Sequence, residues 1–275
     1  MLGWLFGRRK TGRKAESAHF LSMPLLRSVT PVDGARVAEA ASAMFPGTPV
    51  RVSKEEGAEA KDSPCFETGN VMVVAGFMPG PVPGREVIES AEMSLMWPDA
   101  AAHVGHKAHV VLYATGLNGA VPSAVEVAWG ATRVAAGMMK ACDACAYYVG
   151  GASLVHKPEF VVKVATAAAG RGGRGAIPVP LWVNPLVTPD GGGRFSASTI
   201  GLESLGHREF EIVACRRDPR DLMAMLCGLA EYVLTNGPVL RHGETFGPTA
   251  EDRWPVEVGK SRLGKEGEVI RLGVP

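Results

Sequence analysis

Apolar positions along the first half of the chain follow two different spacings. Continuous or alternating apolar runs are typical of strands, and apolar residues three or four positions apart are typical of helices. The predicted order is strand 19–26, a helix opened by Pro31 and Asp33 that runs through 36–45, strands 49–53 and 71–77, helix 84–97 and strand 107–115. The first half is therefore predicted to have the order β-α-β-β-α-β.

The second half repeats this order behind a long helix predicted at 121–142, which has one broad apolar face. It continues with strand 144–149, helix 158–169, strand 179–187, a short helix 199–205, strand 208–215, helix 219–236 and strand 239–246. Prolines within 179–187 favour an edge strand, because proline cannot donate a ladder hydrogen bond. Asp218 is predicted to cap the last helix, Pro219 to start it and Gly237 to end it.

Because both halves share one element order, the sequence predicts an α+β protein. Its architecture would be two tandem ferredoxin-like halves with mainly antiparallel sheets, joined by the long helix. The predicted boundaries are a basic tail 1–18, a first half 19–116, a connecting helix 117–143, a second half 144–247 and an irregular C-terminal tail 248–275.

Composition agrees with a globular protein and excludes several classes. Hydrophobic residues make up 46% and charged residues 21% of the chain, so it can bury a sizeable core. The 34 glycines and 20 prolines gather at turns such as 79–84 and 189–193. A net charge of +1 argues against nucleic-acid binding. Five cysteines, an odd number, indicate reduced cytoplasmic thiols rather than a secreted disulfide framework.

The basic residues are unevenly distributed, since five of them crowd residues 8–14 behind the apolar segment Met1–Phe6. This order differs from that of a signal peptide, and no later apolar run is long enough for a membrane span. We interpret residues 1–14 as a solvated arm on a cytoplasmic protein. The alternative is weak contact of Trp4, Leu5 and Phe6 with an anionic membrane surface.

Several short motifs follow one another along the chain. They are Phe77–Pro83, Trp97-Pro98, His106–Val111, Leu181–Val183, Thr199–Leu202, Gly206–Ile212, Tyr232–Leu234 and Gly243–Gly247. Over about residues 19–247 this order resembles a bacterial family known only as domain of unknown function 4261. His242 departs from the acidic residue expected before Gly243. The resemblance implies a bacterial cytoplasmic domain and supplies no catalytic residue.

Two clusters carry side chains that can bind metals. His103, His106 and His109 have helical spacing for one metal site, but a predicted turn at Gly105 would point them in different directions. Cys142 and Cys145 form a C-x-x-C pair, which is a redox motif at the start of a helix. Here the pair closes a helix, where the dipole disfavours a thiolate. Structural roles are the simpler interpretation for both clusters, and His106, His109, Cys142 and Cys145 remain the metal candidates.

A third cluster lies around the strand at 208–215. His207, Glu209 and Glu211 alternate with Phe210 and Ile212 and are predicted to share one face of that strand. Thr199, Glu203 and Thr245 would lie nearby if strand 239–246 paired with it. Such a face suits acid–base chemistry or binding of a divalent ion, and a solvent-facing strand is the alternative.

The glycine-rich loop 170–175 contains Arg171 and Arg174. It is interpreted as a surface loop, with phosphate binding as the alternative. It lacks the Lys-Ser/Thr of a P-loop, and no familiar catalytic motif occurs elsewhere in the chain. The sequence thus predicts a non-enzymatic protein without a cofactor, which binds another protein or a small ligand through a sheet face or the cleft between halves. The alternative is a metal-assisted hydrolase that uses the His/Glu cluster.

Overall fold

The computed structural model describes residues 18–53, 63–171, 176–247, 249 and 253–274. The predicted arm and membrane contact at 1–14, and most of the glycine-rich loop, lie outside these residues. Within the described ranges, no helix has the length and apolar character that crossing a membrane requires.

The first part of the chain builds a seven-stranded sheet, in which all neighbouring strands are antiparallel. Its elements are β1 (Phe20–Leu26), α1 (Gly34–Met44), β2 (Arg51–Val52), β3 (Cys65–Thr68), β4 (Val71–Met78), α2 (Glu86–Glu92), β5 (Ala108–Gly116), α3 (Ala124–Ala141), β6 (Ala144–Val149) and β7 (Leu154–His156). The strand order is β2-β3-β4-β5-β1-β6-β7. The sheet therefore ends at β7, which has β6 as its neighbour.

The rest of the chain builds a six-stranded sheet in the order β11-β12-β13-β10-β9-β8. Its elements are α4 (Pro158–Ala169), α5 (Val179–Trp182), β8 (Asn184–Gly191), β9 (Arg194–Ile200), β10 (Phe210–Cys215), α6 (Pro219–Asn236), β11 (Thr245–Phe246), β12 (Trp254–Lys260) and β13 (Glu268–Leu272). The β10–β13 pair is parallel and the other pairs are antiparallel.

Helix ends follow local side-chain chemistry closely. Asp218 accepts a hydrogen bond from the backbone N–H of Arg220, and Gly237 ends α6 with a φ of 82°. Both features place α6 at the predicted residues, so this prediction is confirmed. At the start of α3, Ser123 and Glu126 form a capping box, in which each side chain accepts from the backbone of the other.

The predicted connecting helix lies across the first sheet instead of standing between two halves. Most of α3 is buried, and it contacts β1, β4 and β5 together with the helices α1 and α4. Trp182 of α5 is fully buried, and its indole N–H donates to Thr132 of α3 at 2.8 Å. One continuous apolar core consequently contains residues of both sheets.

The α+β class and the mainly antiparallel sheets are confirmed, whereas the tandem ferredoxin-like arrangement is not. Strand 144–149 was predicted to open the second half, but as β6 it pairs with β1 in the first sheet. Of the predicted strand 179–187, the first four residues form α5. The rest joins β8, which lies at a sheet edge as its prolines indicate.

The C-terminal predictions need the largest corrections. The predicted helix 199–205 is reduced to a 3-10 turn at Glu203–Leu205, because β9 extends to Ile200. Only Thr245–Phe246 of the predicted strand 239–246 is a strand, and it pairs with β12. The tail predicted to be irregular contains β12 and β13, and β13 inserts between β12 and β10. Charged residues inside these short strands obscure their alternation in the sequence.

Candidate functional site

The predicted cluster around β10 is largely assembled, but by elements that the sequence did not reveal. Glu211 of β10 lies opposite Ser198 of β9 on one side and opposite Arg271 of β13 on the other. Arg271 in turn lies opposite Glu257 of β12. Four neighbouring strands therefore contribute one row of polar residues, because directly opposed residues project from the same face of a sheet.

Glu211 is fully buried and has several donors. Its carboxylate accepts hydrogen bonds from the Ser261 hydroxyl and from the backbone N–H of Arg262 at 3.0 Å and of Leu263 at 3.3 Å. The Nε atom of Arg271 lies 3.6 Å from Glu211 Oε2. Glu211 thus anchors the loop between β12 and β13 to the face of the sheet.

Arg271 extends this network to the neighbouring strand. Its Nη1 atom donates to Glu257 Oε2 at 2.7 Å, and its Nη2 atom donates to the carbonyl oxygen of Lys260 at 2.7 Å. The arginine is 9% exposed, so its charge needs both carboxylates to offset the cost of desolvation.

Glu209 accepts hydrogen bonds from the turn that follows β9. One carboxylate oxygen accepts from the Thr199 hydroxyl at 2.6 Å, and the other accepts from the backbone N–H of Gly201 at 2.8 Å and of Glu203 at 3.2 Å. Thr199 also accepts a hydrogen bond from the backbone N–H of Phe210 at 2.8 Å. Glu209 is buried, and its oxygens are used by the protein itself.

Lys265 brings a positive charge to the two glutamates. Its ammonium group donates to the carbonyl oxygen of Thr199. Burial lowers the pKa of Lys265, while the negative charges of Glu209, Glu211 and Glu203 oppose that effect. We name Thr199, Glu209, Glu211, Ser261, Lys265 and Arg271 the carboxylate cluster. Since its carboxylates already accept several bonds each, its geometry suits fixing the β12–β13 loop better than binding a metal.

Two predicted members lie elsewhere. His207 precedes β10 and lines a separate cavity of about 360 Å³ with Val233, Leu240 and Ile270. Burial lowers its pKa. Thr245 is exposed on β11, and β12 and β13 separate that strand from β10. The pairing of strand 239–246 with 208–215, on which the expected position of Thr245 depended, does not occur, because β11 pairs with β12.

The histidine candidates hold a turn. His106 Nδ1 lies 2.8 Å from the carbonyl oxygen of Val104, so this nitrogen carries the proton, and His106 Nε2 accepts from the backbone N–H of Val82 at 2.8 Å. His109 Nδ1 lies 2.8 Å from the carbonyl oxygen of Gly80. His103 faces Asp99 at 3.1 Å. His106 and His109 thereby fasten the proline-rich turn that follows β4.

The C-x-x-C cysteines lie in surroundings that disfavour the thiolate. Cys145 is buried and donates to the carbonyl oxygen of Leu25 at 3.4 Å. Burial raises the pKa of Cys142 to about 11 and also raises the pKa of Cys145. A raised pKa suppresses the thiolate that redox and metal chemistry need. Among the described residues, no group of three or more His, Cys, Asp or Glu side chains is arranged to hold a metal ion.

A different feature, missed by sequence reasoning, is an apolar pocket where the two sheets meet. We name it the inter-sheet pocket, with a volume of about 130 Å³. It lies between the edge strands β7 and β8 and beneath α6. Its apolar walls include Leu154, Val155, Val183, Pro185, Met223 and Cys227.

The mouth of the inter-sheet pocket combines apolar and polar groups. Leu95 and Met96 line it, although each is 54% exposed to solvent. Asn184 donates from Nδ2 to the carbonyl oxygen of Ser153 at 3.3 Å, and within the described part of the chain its side-chain oxygen accepts no hydrogen bond. The pocket therefore offers one acceptor beside an apolar interior.

Comparison with known protein families finds a match for one segment of the chain. Residues 198–273 match the family model described as Domain of unknown function (DUF4261). This segment is therefore similar to the DUF4261 family. The match contains every member of the carboxylate cluster and both C-terminal strands. It begins much later than residue 19 and extends beyond residue 247, so the motifs at 77–111 lie outside it.

No curated protein and no solved structure matches the chain significantly. The role of residues 198–273 is therefore interpreted from their geometry alone. Ser261, Lys265 and Arg271 were missed because the C-terminal tail was predicted to be irregular. The stretch Glu268–Leu272 does not alternate and is too short to indicate a buried strand from its own residues.

Proposed function

We propose that this protein is a non-catalytic binding protein of the bacterial cytoplasm. Its inter-sheet pocket receives one apolar side chain of a partner polypeptide. The observation that carries the proposal is the continuity of an apolar pocket with the exposed side chains of Leu95 and Met96. The five free cysteines support a reducing compartment.

The size of the inter-sheet pocket sets the size of its occupant. An apolar cavity of about 150 Å³ is known to accommodate benzene, so about 130 Å³ suits one leucine-sized side chain or a small ring. Burying such a side chain contributes about 1.5–3 kcal/mol to binding. This energy alone gives weak affinity, and contacts around the mouth must add to it.

The mouth favours a polypeptide over a free small molecule. Leu95 and Met96 expose apolar area that a deeply bound small molecule would leave in water. Methionine adapts its shape to different partners, and Met223 lines the interior. The free oxygen of Asn184 is placed to accept a backbone N–H of the entering segment.

The test uses amino-acid mimics as probes. The wild type and each variant, labelled at the methionine methyl groups for NMR, are titrated with N-acetyl-leucinamide and, in parallel, with N-acetyl-lysinamide. We expect the leucine probe to shift the Met96 and Met223 signals saturably and the lysine probe to leave them unchanged. Cys227→Leu fills the pocket and should weaken the leucine response at least tenfold.

A matched control separates filling of the pocket from a change in α6. Ala224→Leu adds similar bulk on the exposed side of the same helix and should keep the wild-type response. Equal responses to both probes, or equal responses of wild type and Cys227→Leu, would overturn the proposal.

A further inference from the structure

A second cavity, away from the inter-sheet pocket and the carboxylate cluster, has a different chemistry. It lies where the C-terminal ends of α1 and α4 meet α3 and has a volume of about 410 Å³. This volume is within the range of small-molecule sites. Its walls include Phe45, Trp129, Arg133, Thr166, Gly170 and Arg171. We name it the arginine cavity.

Positive charge in the arginine cavity is unbalanced. Arg133 is half-buried and Arg171 is exposed, and among the residues that the structure describes no aspartate or glutamate lines the cavity. Neither guanidinium group forms an ion pair or hydrogen bond within the described ranges of the chain. A half-buried arginine without an acidic partner is costly, so this arrangement suits an anion supplied from outside.

The Arg133 guanidinium is also held in a defined place. Its central carbon lies 5.2 Å from the ring centroid of Trp129, a cation–π geometry. Trp129 is fixed by edge contacts with Phe45 and Trp182 at 6.4 and 5.8 Å between ring centroids. A stacked guanidinium keeps its N–H groups available for bidentate bonds to phosphate or carboxylate.

The two helix ends provide the competing explanation, because cations are favourable near helix C-termini. Their carbonyl groups are, however, partly satisfied by the chain itself. The carbonyl oxygen of Phe45 accepts from Thr48 N–H at 3.0 Å, and that of Ala168 accepts from Arg171 N–H at 3.1 Å. Neither arginine forms a hydrogen bond to these carbonyls, so helix-end stabilisation leaves the guanidinium donors unused.

We infer that the arginine cavity binds the phosphate group of a small organic phosphate, with Arg133 and Arg171 as its ligands and the apolar wall near Phe45 beside its organic part. This site is separate from the inter-sheet pocket and does not depend on the function proposed for it.

The test measures the thermal unfolding midpoint of the full chain against phenyl phosphate concentration, at constant ionic strength set with sodium chloride. Phenol serves as the uncharged probe of the same ring. For the wild type we expect a saturable rise in the midpoint with phenyl phosphate and none with phenol, because a ligand that binds only the folded state stabilises it.

Variants then separate binding from structure. Arg133→Gln should weaken phenyl phosphate binding at least tenfold and Arg171→Gln about threefold or more. Arg36→Gln removes an exposed arginine on α1, outside the cavity, and should keep wild-type binding. If Arg133→Gln lowers the midpoint without ligand but keeps the full response to phenyl phosphate, the arginine serves the helix ends only and the inference is wrong. A wild type that does not respond would overturn it equally.

Discussion

His106 accepts a hydrogen bond from the backbone N–H of Val82 at 2.8 Å. The proton on its other nitrogen faces the carbonyl oxygen of Val104, so the neutral ring uses both nitrogens to join the turn after β4 to the start of β5. This contact explains why two closely spaced histidines occur here without a metal-binding geometry. Burial lowers the pKa of His106, which preserves the accepting form of the ring.

Replacing His106 tests this structural role. His106→Phe leaves the Val82 N–H without its acceptor, and we expect a loss of about 1–3 kcal/mol in the free energy of unfolding. His103→Phe is the control, because its side chain is 54% exposed, and it should change stability by less than about 1 kcal/mol. Urea unfolding of both variants gives the comparison, and equal losses would contradict the assigned role.

His156 should make the stability depend on pH. It is 1% exposed and stacks on Phe160, and within the described ranges of the chain neither of its ring nitrogens has a hydrogen-bond partner of good geometry. Burial lowers its pKa from 6.5 to about 4. Between pH 4 and pH 6.5 the unfolded chain binds a proton at His156 and the folded protein does not. The contribution of His156 to the free energy of unfolding is therefore fully present above about pH 6.5 and is lost as the pH falls toward 4.

The expected loss through His156 is about 3 kcal/mol over this range, at about 1.4 kcal/mol per pH unit. His156→Leu removes the titrating group, so the difference between the two stability curves isolates its contribution. Denaturant unfolding between pH 4 and 7.5 measures both curves. Parallel curves for wild type and variant would show that the ring does not control acid stability.

Glu211 should fix the β12–β13 loop to the sheet. Glu211→Gln weakens three accepted hydrogen bonds and leaves Arg271 with one carboxylate, so we expect a loss of about 2–4 kcal/mol. Amide hydrogen exchange should rise at Arg262 and Leu263, whose N–H groups lose their charged acceptor.

The control for Glu211→Gln is Glu268→Gln, which breaks an exposed ion pair with Arg208. Exposed pairs contribute little, so its loss should stay below about 1 kcal/mol. If amide hydrogen exchange in the β12–β13 loop is unchanged in Glu211→Gln, Glu211 does not hold this loop on the sheet.

Two helical glycines should respond oppositely to the same substitution. A Cβ atom on Gly137 of α3 would lie 2.7 Å from the carbonyl oxygen of Val37 and 2.9 Å from Ala41 Cβ. Gly137→Ala should therefore cost about 1–3 kcal/mol by forcing α1 and α3 apart. Among the described residues, Gly228 of α6 has no such neighbour within 4 Å, so Gly228→Ala should stabilise by about 0.5–1 kcal/mol. Thermal unfolding compares them, and the same sign for both would contradict the close approach of α1 and α3.

The sequence by itself determined the elements whose signals are local. Asp218, Pro219 and Gly237 set the bounds of α6, because caps act within about one turn of a helix. The apolar runs of β1, β5 and β6 were found for a similar reason, since their character is contained in six to nine adjacent residues. Prolines also placed β8 at an edge.

Only the tertiary structure decided which strands pair and which polar groups are buried. Glu211 and Arg262 are hydrogen-bonded although they are 51 residues apart, and β6 joins the first sheet although the 18-residue helix α3 precedes it. A sequence pattern shows that Glu209 and Glu211 share a face, but not whether water or another segment covers it. Here the loop after β12 covers Glu211, and this long-range contact makes an expected functional surface a buried, hydrogen-bonded cluster.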